Sequence, residues 1–157
     1  MMRFFSKLIA PLVFFIAYGL FRSSVKQGSL KKHNFVMKLF RFAADNGDKR
    51  ALSVYGHLLH FRGEGVENRI QGGIYLQQAA EKGDLKAQYQ MGRIFEEGFE
   101  HYFKADPVKA LAFYQQAAEQ GHHLAIKRLC DAYADGELGL QADPRKADQW
   151  LARMPQL

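Results

Sequence analysis

Three copies of one short motif, spaced 36 and then 38 residues apart, restrict the architectures open to this chain. Ala79-Ala80-Glu81-Lys82-Gly83 returns as Ala117-Ala118-Glu119-Gln120-Gly121, and a fainter copy stands at Ala43-Ala44-Asp45-Asn46-Gly47. Each copy is followed at a fixed offset by a further alanine: Ala51, Ala87 and Ala125. A period of this length marks an array of helix pairs, in which each repeat buries its apolar face only against its neighbours. Arrays of this kind mostly bind other molecules rather than carry out chemistry.

The middle repeat shows the pattern in full. Ala87, Met91, Ile94 and Phe95 fall on one helical stripe, with Asp84 at the N-cap and Gly98 past the end. Asp106-Pro107 opens a second helix carrying Ala110, Leu111, Phe113, Tyr114, Ala117 and Ala118, and Gly121 closes it. Proline suits the first helical position because its missing N–H would have no intrahelical partner there. The next repeat reuses these choices with Ala125, Leu129 and Tyr133, then Asp143-Pro144, Ala147, Trp150 and Leu151. The preceding one has Ala51, Tyr55 and Leu59, then Gly63-Glu64-Gly65-Val66, then Ile74, Tyr75, Ala79 and Ala80. Upstream, Phe35, Leu39, Phe40, Ala43 and Ala44 predict a lone helix that covers the open end of the array. Cys130 is expected to be a small buried residue within its helix.

This layout resembles the Sel1-like repeat family, a relative of the tetratricopeptide repeat. The resemblance rests on Ala87, Met91-Gly92, Phe95, Asp106, Lys109-Ala110, Tyr114 and Ala117 to Gly121 in the middle repeat. Ala125, Leu129, Tyr133, Asp143, Lys146-Ala147 and Trp150 carry it in the next, and Gly63 to Val66 with Ala79 to Gly83 in the one before. Three departures stand out: Gly72-Gly73 in place of Lys-Ala, Cys130 in place of a helix glycine, and long loops over 98–106 and 136–143. The resemblance implies an all-α, right-handed α/α solenoid of about three helix pairs over residues 33–157, with an N-terminal capping helix. It implies an adaptor or scaffold rather than an enzyme.

The net charge of +6 suggests nucleic acid only until it is located. Residues 1–42 hold eight Lys/Arg and no acid, whereas residues 43–157 hold 14 against 16 acids. The repeats therefore carry no polyanion groove, and nucleic acid is not an expected partner. The basic excess accompanies Leu8–Phe21, a 14-residue run without a charge. A basic start, an apolar middle and Ala17-x-Gly19 read as a secretory signal or an uncleaved anchor over residues 1–21. Residues 22–32, with serines, Gly28 and lysines, read as a flexible basic linker. The expected location is the cell envelope, either the periplasm or the inner membrane.

Residues off the packing stripes of the first helices are the candidate binding set: Arg50, Ser53, His57 and His60, then Lys86, Tyr89, Arg93 and Glu96, then Lys127 and Asp131. Their mixed charge, with Tyr89 as an exposed aromatic, suits a peptide or protein segment on a concave face. The competing use of Tyr89 and the aromatic-rich first repeat is stacking on cell-wall polysaccharide. No metal or cofactor is expected, since His57 and His60 lack further ligands at metal spacing and no cysteine pair exists. No catalytic residue is expected either: the chain has no nucleophile elbow, no phosphate loop and no paired carboxylates in a plausible cleft.

Overall fold

A computed structural model of the chain describes residues 2–27 and 29–155. Among these residues are eight α-helices and no β-strand, only one isolated bridge between Phe99 and Phe103. The chain divides into two compact units, Met1–Ala79 and Ala80–Leu157. In order the helices are α1 (Met2–Gln27), α2 (Leu30–Asp45), α3 (Lys49–Arg62), α4 (Gly65–Glu81), α5 (Leu85–Glu97), α6 (Pro107–Glu119), α7 (His123–Asp135) and α8 (Pro144–Ala152).

Local chemistry sets the starts of these helices. Asp48, Asp84, Asp106 and Asp143 each accept a hydrogen bond from the backbone N–H three residues on, at 2.8, 2.8, 3.1 and 3.2 Å. Pro107 and Pro144 occupy the first turns of α6 and α8, as the Asp-Pro pairs predict. Asp84→Ala is expected to lower stability by about 1 kcal/mol, read as a shift in the urea midpoint with an unchanged slope.

In the first unit, α2 buries Val36, Phe40, Ala43 and Ala44, a stripe that includes the repeat motif. Phe40, Ala43 and Ala44 are buried as expected, whereas Phe35 is exposed and Leu39 only half-buried, Val36 taking the place expected of Phe35. Nor is α2 a lone cap. Ala10, Phe14 and Ala17 of α1 are buried, and the rings of Phe14 and Phe21 lie 5.9 and 5.8 Å from that of Phe40. The α1–α2 hairpin is thus a further helix pair at the head of the array. α1 also runs on to Gln27 and α2 begins at Leu30, so most of the stretch expected as a linker is helical. Residue 28, the glycine of that linker, lies outside the described residues.

α3 and α4 cross with their backbones nearly touching. A Cβ placed on Gly72 would lie 2.3 Å from the His60 nitrogen and 2.8 Å from the Gly56 carbonyl oxygen. This explains the departure at Gly72, where the pattern otherwise has a larger residue.

In the second unit the core consists of Ala87, Met91, Ile94, Phe95, Ala110, Tyr114, Ala117, Ala118, Ala125, Ile126, Leu129, Ala132 and Tyr133. The long loop over 98–106 turns inward. Phe103 is buried, packing edge-on against Phe95, which stacks on Phe113. The Asp106 N–H donates to the Phe95 carbonyl at 2.7 Å, and the Asp143 N–H donates to the Tyr133 carbonyl at the same distance. Both long loops therefore close onto the last turn of the preceding helix in the same way.

Candidate functional site

The four candidate residues of the first unit diverge. Arg50 is exposed, but its guanidinium lies over the α1 rings, 4.6 Å from the centre of Phe15 and 5.7 Å from that of Phe14. His57 is exposed and packs against Phe61 at 4.6 Å. Ser53 and His60 are only 8% and 5% exposed, which corrects the expectation that both face a partner. The His60 Nδ1–H donates to the Arg69 carbonyl at 2.9 Å, and Arg69 Nε–H donates back to the His60 carbonyl at 3.0 Å. Burial is the main cause that holds the His60 pKa below its ordinary value, against the pull of that carbonyl. His57 and His60 thus differ in surroundings, the one open to solvent and the other buried. No group of three or more His, Cys, Asp or Glu able to hold a metal ion occurs among the described residues.

A cavity in this unit was not legible in the sequence. It measures about 270 Å³ and is lined by Arg41, Tyr55, Leu59, Asn68, Gln71 and Tyr75. At its side the Tyr75 hydroxyl donates to Asp45 at 2.5 Å. Burial, and next that hydrogen bond, raise the Tyr75 pKa above the ordinary tyrosine range.

In the second unit, Lys86 and Arg93 are exposed on α5, with Arg93 pairing to Glu97 at 3.6 Å. Tyr89 is half-buried rather than exposed: its ring stacks on His122 at 4.6 Å, with 20° between the planes. That contact occupies one face of the Tyr89 ring. His122 itself caps α7, its Nδ1 accepting from the Ala125 N–H. The capping role needs a neutral ring, and burial followed by the neighbouring His123 lowers the His122 pKa accordingly. Glu96 is also committed internally. It accepts from Arg128 Nη2 at 2.5 Å and from the Tyr114 hydroxyl at 2.7 Å, joining α5, α6 and α7. Sequence reasoning missed Arg128 altogether, because a seam residue one position from Lys127 looks like any other helix charge. Tyr89 and Glu96 therefore belong to the seam between α5 and α7.

Lys127 and Asp131 sit elsewhere. They pair at 3.0 Å along the rim of a groove of about 360 Å³. Its other lining residues are Cys130, Ala134, Ala147, Asp148, Leu151 and Met154. By spacing from the shared alanine, Lys127 and Ala134 occupy the places of Tyr89 and Glu96. In α5 those places are covered by α7, whereas in α7 they stay open, with Leu151 57% exposed at the groove.

The same groove explains Cys130, which is half-buried and not enclosed as expected. Its counterpart Gly92 packs under Tyr114, whose ring carbon would lie 2.6 Å from an added Cβ. Leu151 stands eight residues after Asp143 as Tyr114 does after Asp106, so no ring lies over Cys130. Burial and then the Asp131 carboxylate raise the Cys130 pKa, which keeps the thiol protonated.

Comparison with known proteins agrees with this architecture. The family model of the Sel1 repeat matches residues 50–84, 85–122 and 123–154. A Sel1 repeat protein of Oxalobacter formigenes superposes with a TM-score of 0.75 at 26% identity, over 91% of this chain and 56% of that one. A protective antigen of uropathogenic Escherichia coli with an SLR fold gives 0.74 at 23% identity, over 92% of this chain and 30% of that one. A curated relative, chitin synthase regulatory factor 3 of Schizosaccharomyces pombe, is 30% identical over 69 residues, which are 44% of this chain and 7% of that protein. The chain thus spans little more than half of the longest-covered of these relatives and far less of the others. Sel1 repeats generally serve as protein–protein interaction modules and not as enzymes. With three matched repeats covering most of its length, the chain belongs to the Sel1 repeat family.

Proposed function

We propose that this protein is a membrane-associated adaptor that holds a segment of a partner protein on the exposed side of its first helices, chiefly at the α7–α8 groove. The observation that carries this reading is the groove itself. It has an apolar floor of Cys130, Ala134, Ala147, Leu151 and Met154, and Lys127, Asp131 and Asp148 supply charges of both signs at its rim. A floor of that kind suits an apolar anchor side chain, and the rim suits a mixed-charge segment around it. Lys86 and Arg93 extend the charged surface along α5. The N-terminal helix, whose Arg3–Ser23 stretch has a mean hydropathy of 1.9, supports placement at a membrane of the cell envelope.

The test is capture of partners by the full chain beside an Ala134→Arg, Leu151→Glu double variant. Both side chains are exposed, so the fold tolerates the change. Recovery is expected to fall about tenfold or more, with helicity and urea midpoint unchanged. Equal recovery would remove the groove as the binding site.

A further inference from the structure

α1 has its polarity turned the wrong way for a helix bathed in water. The side against α2 carries Ala10, Phe14 and Ala17, and continuing that stripe toward the N-terminus brings Lys7 and Arg3. The opposite side is Phe5, Leu8, Leu12, Phe15 and Ile16, each more than half exposed, with no charge among them. A soluble amphipathic helix would present its polar residues there. Burial also stops at Ala10: of residues 3–9, all are exposed except half-buried Ser6. Among the described residues, the Arg50 guanidinium over the Phe15 ring is the one charged contact to this face, and Phe5, Leu8, Leu12 and Ile16 and the basic first turns stay open to the surroundings.

Two observations decide what covers them. Residues 1–42 hold eight Lys/Arg and no acid, so a second copy would bring basic surface against basic surface, whereas an anionic bilayer is complementary. Docking also excludes a span. A transmembrane α1 needs lipid around its whole circumference, yet Phe14 and Phe21 are packed on Phe40, which is fully buried. α2 cannot accompany it into hydrocarbon, because α2 carries Lys31, Lys32, Lys38 and Arg41.

Resting on the membrane placement proposed above, we infer that α1 stays docked on α2 and lies in the plane of an anionic membrane surface. Phe5, Leu8, Leu12, Phe15 and Ile16 enter the boundary between headgroups and acyl chains, while Arg22 on the flank, and Arg3 and Lys7 by the reach of long side chains that start on the other side of the shallow helix, stay at the level of the lipid phosphates. α1 is then a retained part of the first unit, since cutting after Gly19 would remove the buried Ala10, Phe14 and Ala17 and leave Phe40 with only the Phe21 ring of α1.

The experiment uses the full chain with Trp150→Phe and Leu12→Trp, so that its one indole reports the outer face of α1. It is mixed with phosphatidylcholine vesicles with or without phosphatidylglycerol, each also prepared with lipids brominated near or far from the headgroup. The expected result is flotation with the anionic vesicles, weakened about tenfold or more by molar salt or by neutral lipid. Quenching should be stronger from shallow bromines, and hydrogen exchange in α2 should be unchanged on binding. Leu8→Glu with Leu12→Glu, placed in the chain with native Trp150, should abolish flotation without moving the urea midpoint. Deep quenching with faster exchange in α2 would show a span and overturn the in-plane geometry, leaving the membrane placement intact. Equal, salt-resistant binding to neutral vesicles would overturn the charge argument. No flotation with either vesicle would overturn both readings.

Discussion

Gly72→Ala is expected to destabilise the first unit by about 3 kcal/mol or more, although it adds a single methyl group. The reason is what that methyl meets. The His60 nitrogen at 2.3 Å, the His60 Cα at 2.7 Å and the Gly56 oxygen at 2.8 Å are all backbone atoms, so no side-chain rotation relieves the overlap. α3 must instead move away from α4, stretching the reciprocal hydrogen bonds between His60 and Arg69. Gly92→Ala is the informative comparison: its new Cβ meets the Tyr114 ring at 2.6 Å, and a ring can shift, so its cost should be smaller. Gly19→Ala, with nothing within 4 Å, should cost nothing and fits the helix better. His60 supplies a second readout. Its folded pKa is depressed by burial, so its contribution to stability is complete above the ordinary histidine value and is lost as the pH falls below it. Opening the crossing admits water and should return the His60 titration toward the ordinary value, flattening that acid-side loss. Unfolding in urea and the His60 proton signals measure both effects. A Gly72→Ala protein with unchanged stability and an unchanged His60 titration would mean that the two helices do not approach as closely as described.

The repeat period, the N-caps and the first-helix stripes were readable because they are local. Asp84 caps whatever follows it, and Ala87, Met91, Ile94 and Phe95 share a face in any α-helix. What escaped was set by neighbours distant in sequence. Ser53 and His60 look like surface positions on a helical wheel, yet the glycine-mediated crossing of α3 and α4 makes that side an interior one. Periodicity places Tyr89 and Glu96 on an open face because it identifies the stripe within a pair and is silent on the seam between pairs. The pairing of α1 with α2 was hidden for another reason: a run of apolar residues after two basic ones satisfies the pattern of a membrane segment and of a core helix equally well. Composition alone does not show that pairing, which lies in the contacts of Phe14 and Phe21 with Phe40.

Removing the Glu96 carboxylate is expected to cost the second unit about 2–3 kcal/mol, more than any single exposed ion pair of this chain. Arg128 approaches it with Nη2 at 2.5 Å from Oε1 and Nε at 3.1 and 3.2 Å from the two oxygens, and the Tyr114 hydroxyl donates to Oε2. The two charged side chains keep 21% and 27% of their exposure, so solvent screens the pair only partly, and the figure lies below that for a fully buried pair. Glu96→Ala strands a guanidinium and a buried hydroxyl together. Arg128 keeps Glu137 at 2.5 Å, but that partner is half exposed and reaches a different nitrogen. The pH dependence follows from the carboxyl group. Burial would raise its pKa, yet the hydrogen bonds from Arg128 and Tyr114, with the charges of Arg128 and Arg93, outweigh burial and hold it below the ordinary glutamate value. Folding therefore weakens the proton's hold on Glu96. The stabilisation is complete above the ordinary value and disappears as the pH falls through the depressed one. Wild type should lose stability as the pH falls below the ordinary glutamate value more steeply than Glu96→Gln, which lacks that titration. Charge without a partner is the main liability, so Glu96→Leu combined with Arg128→Met should recover a large part of the loss from Glu96→Leu alone. Strict additivity in that cycle, or equal acid sensitivity of wild type and Glu96→Gln, would mean that the seam between α5, α6 and α7 is held by its apolar contacts alone.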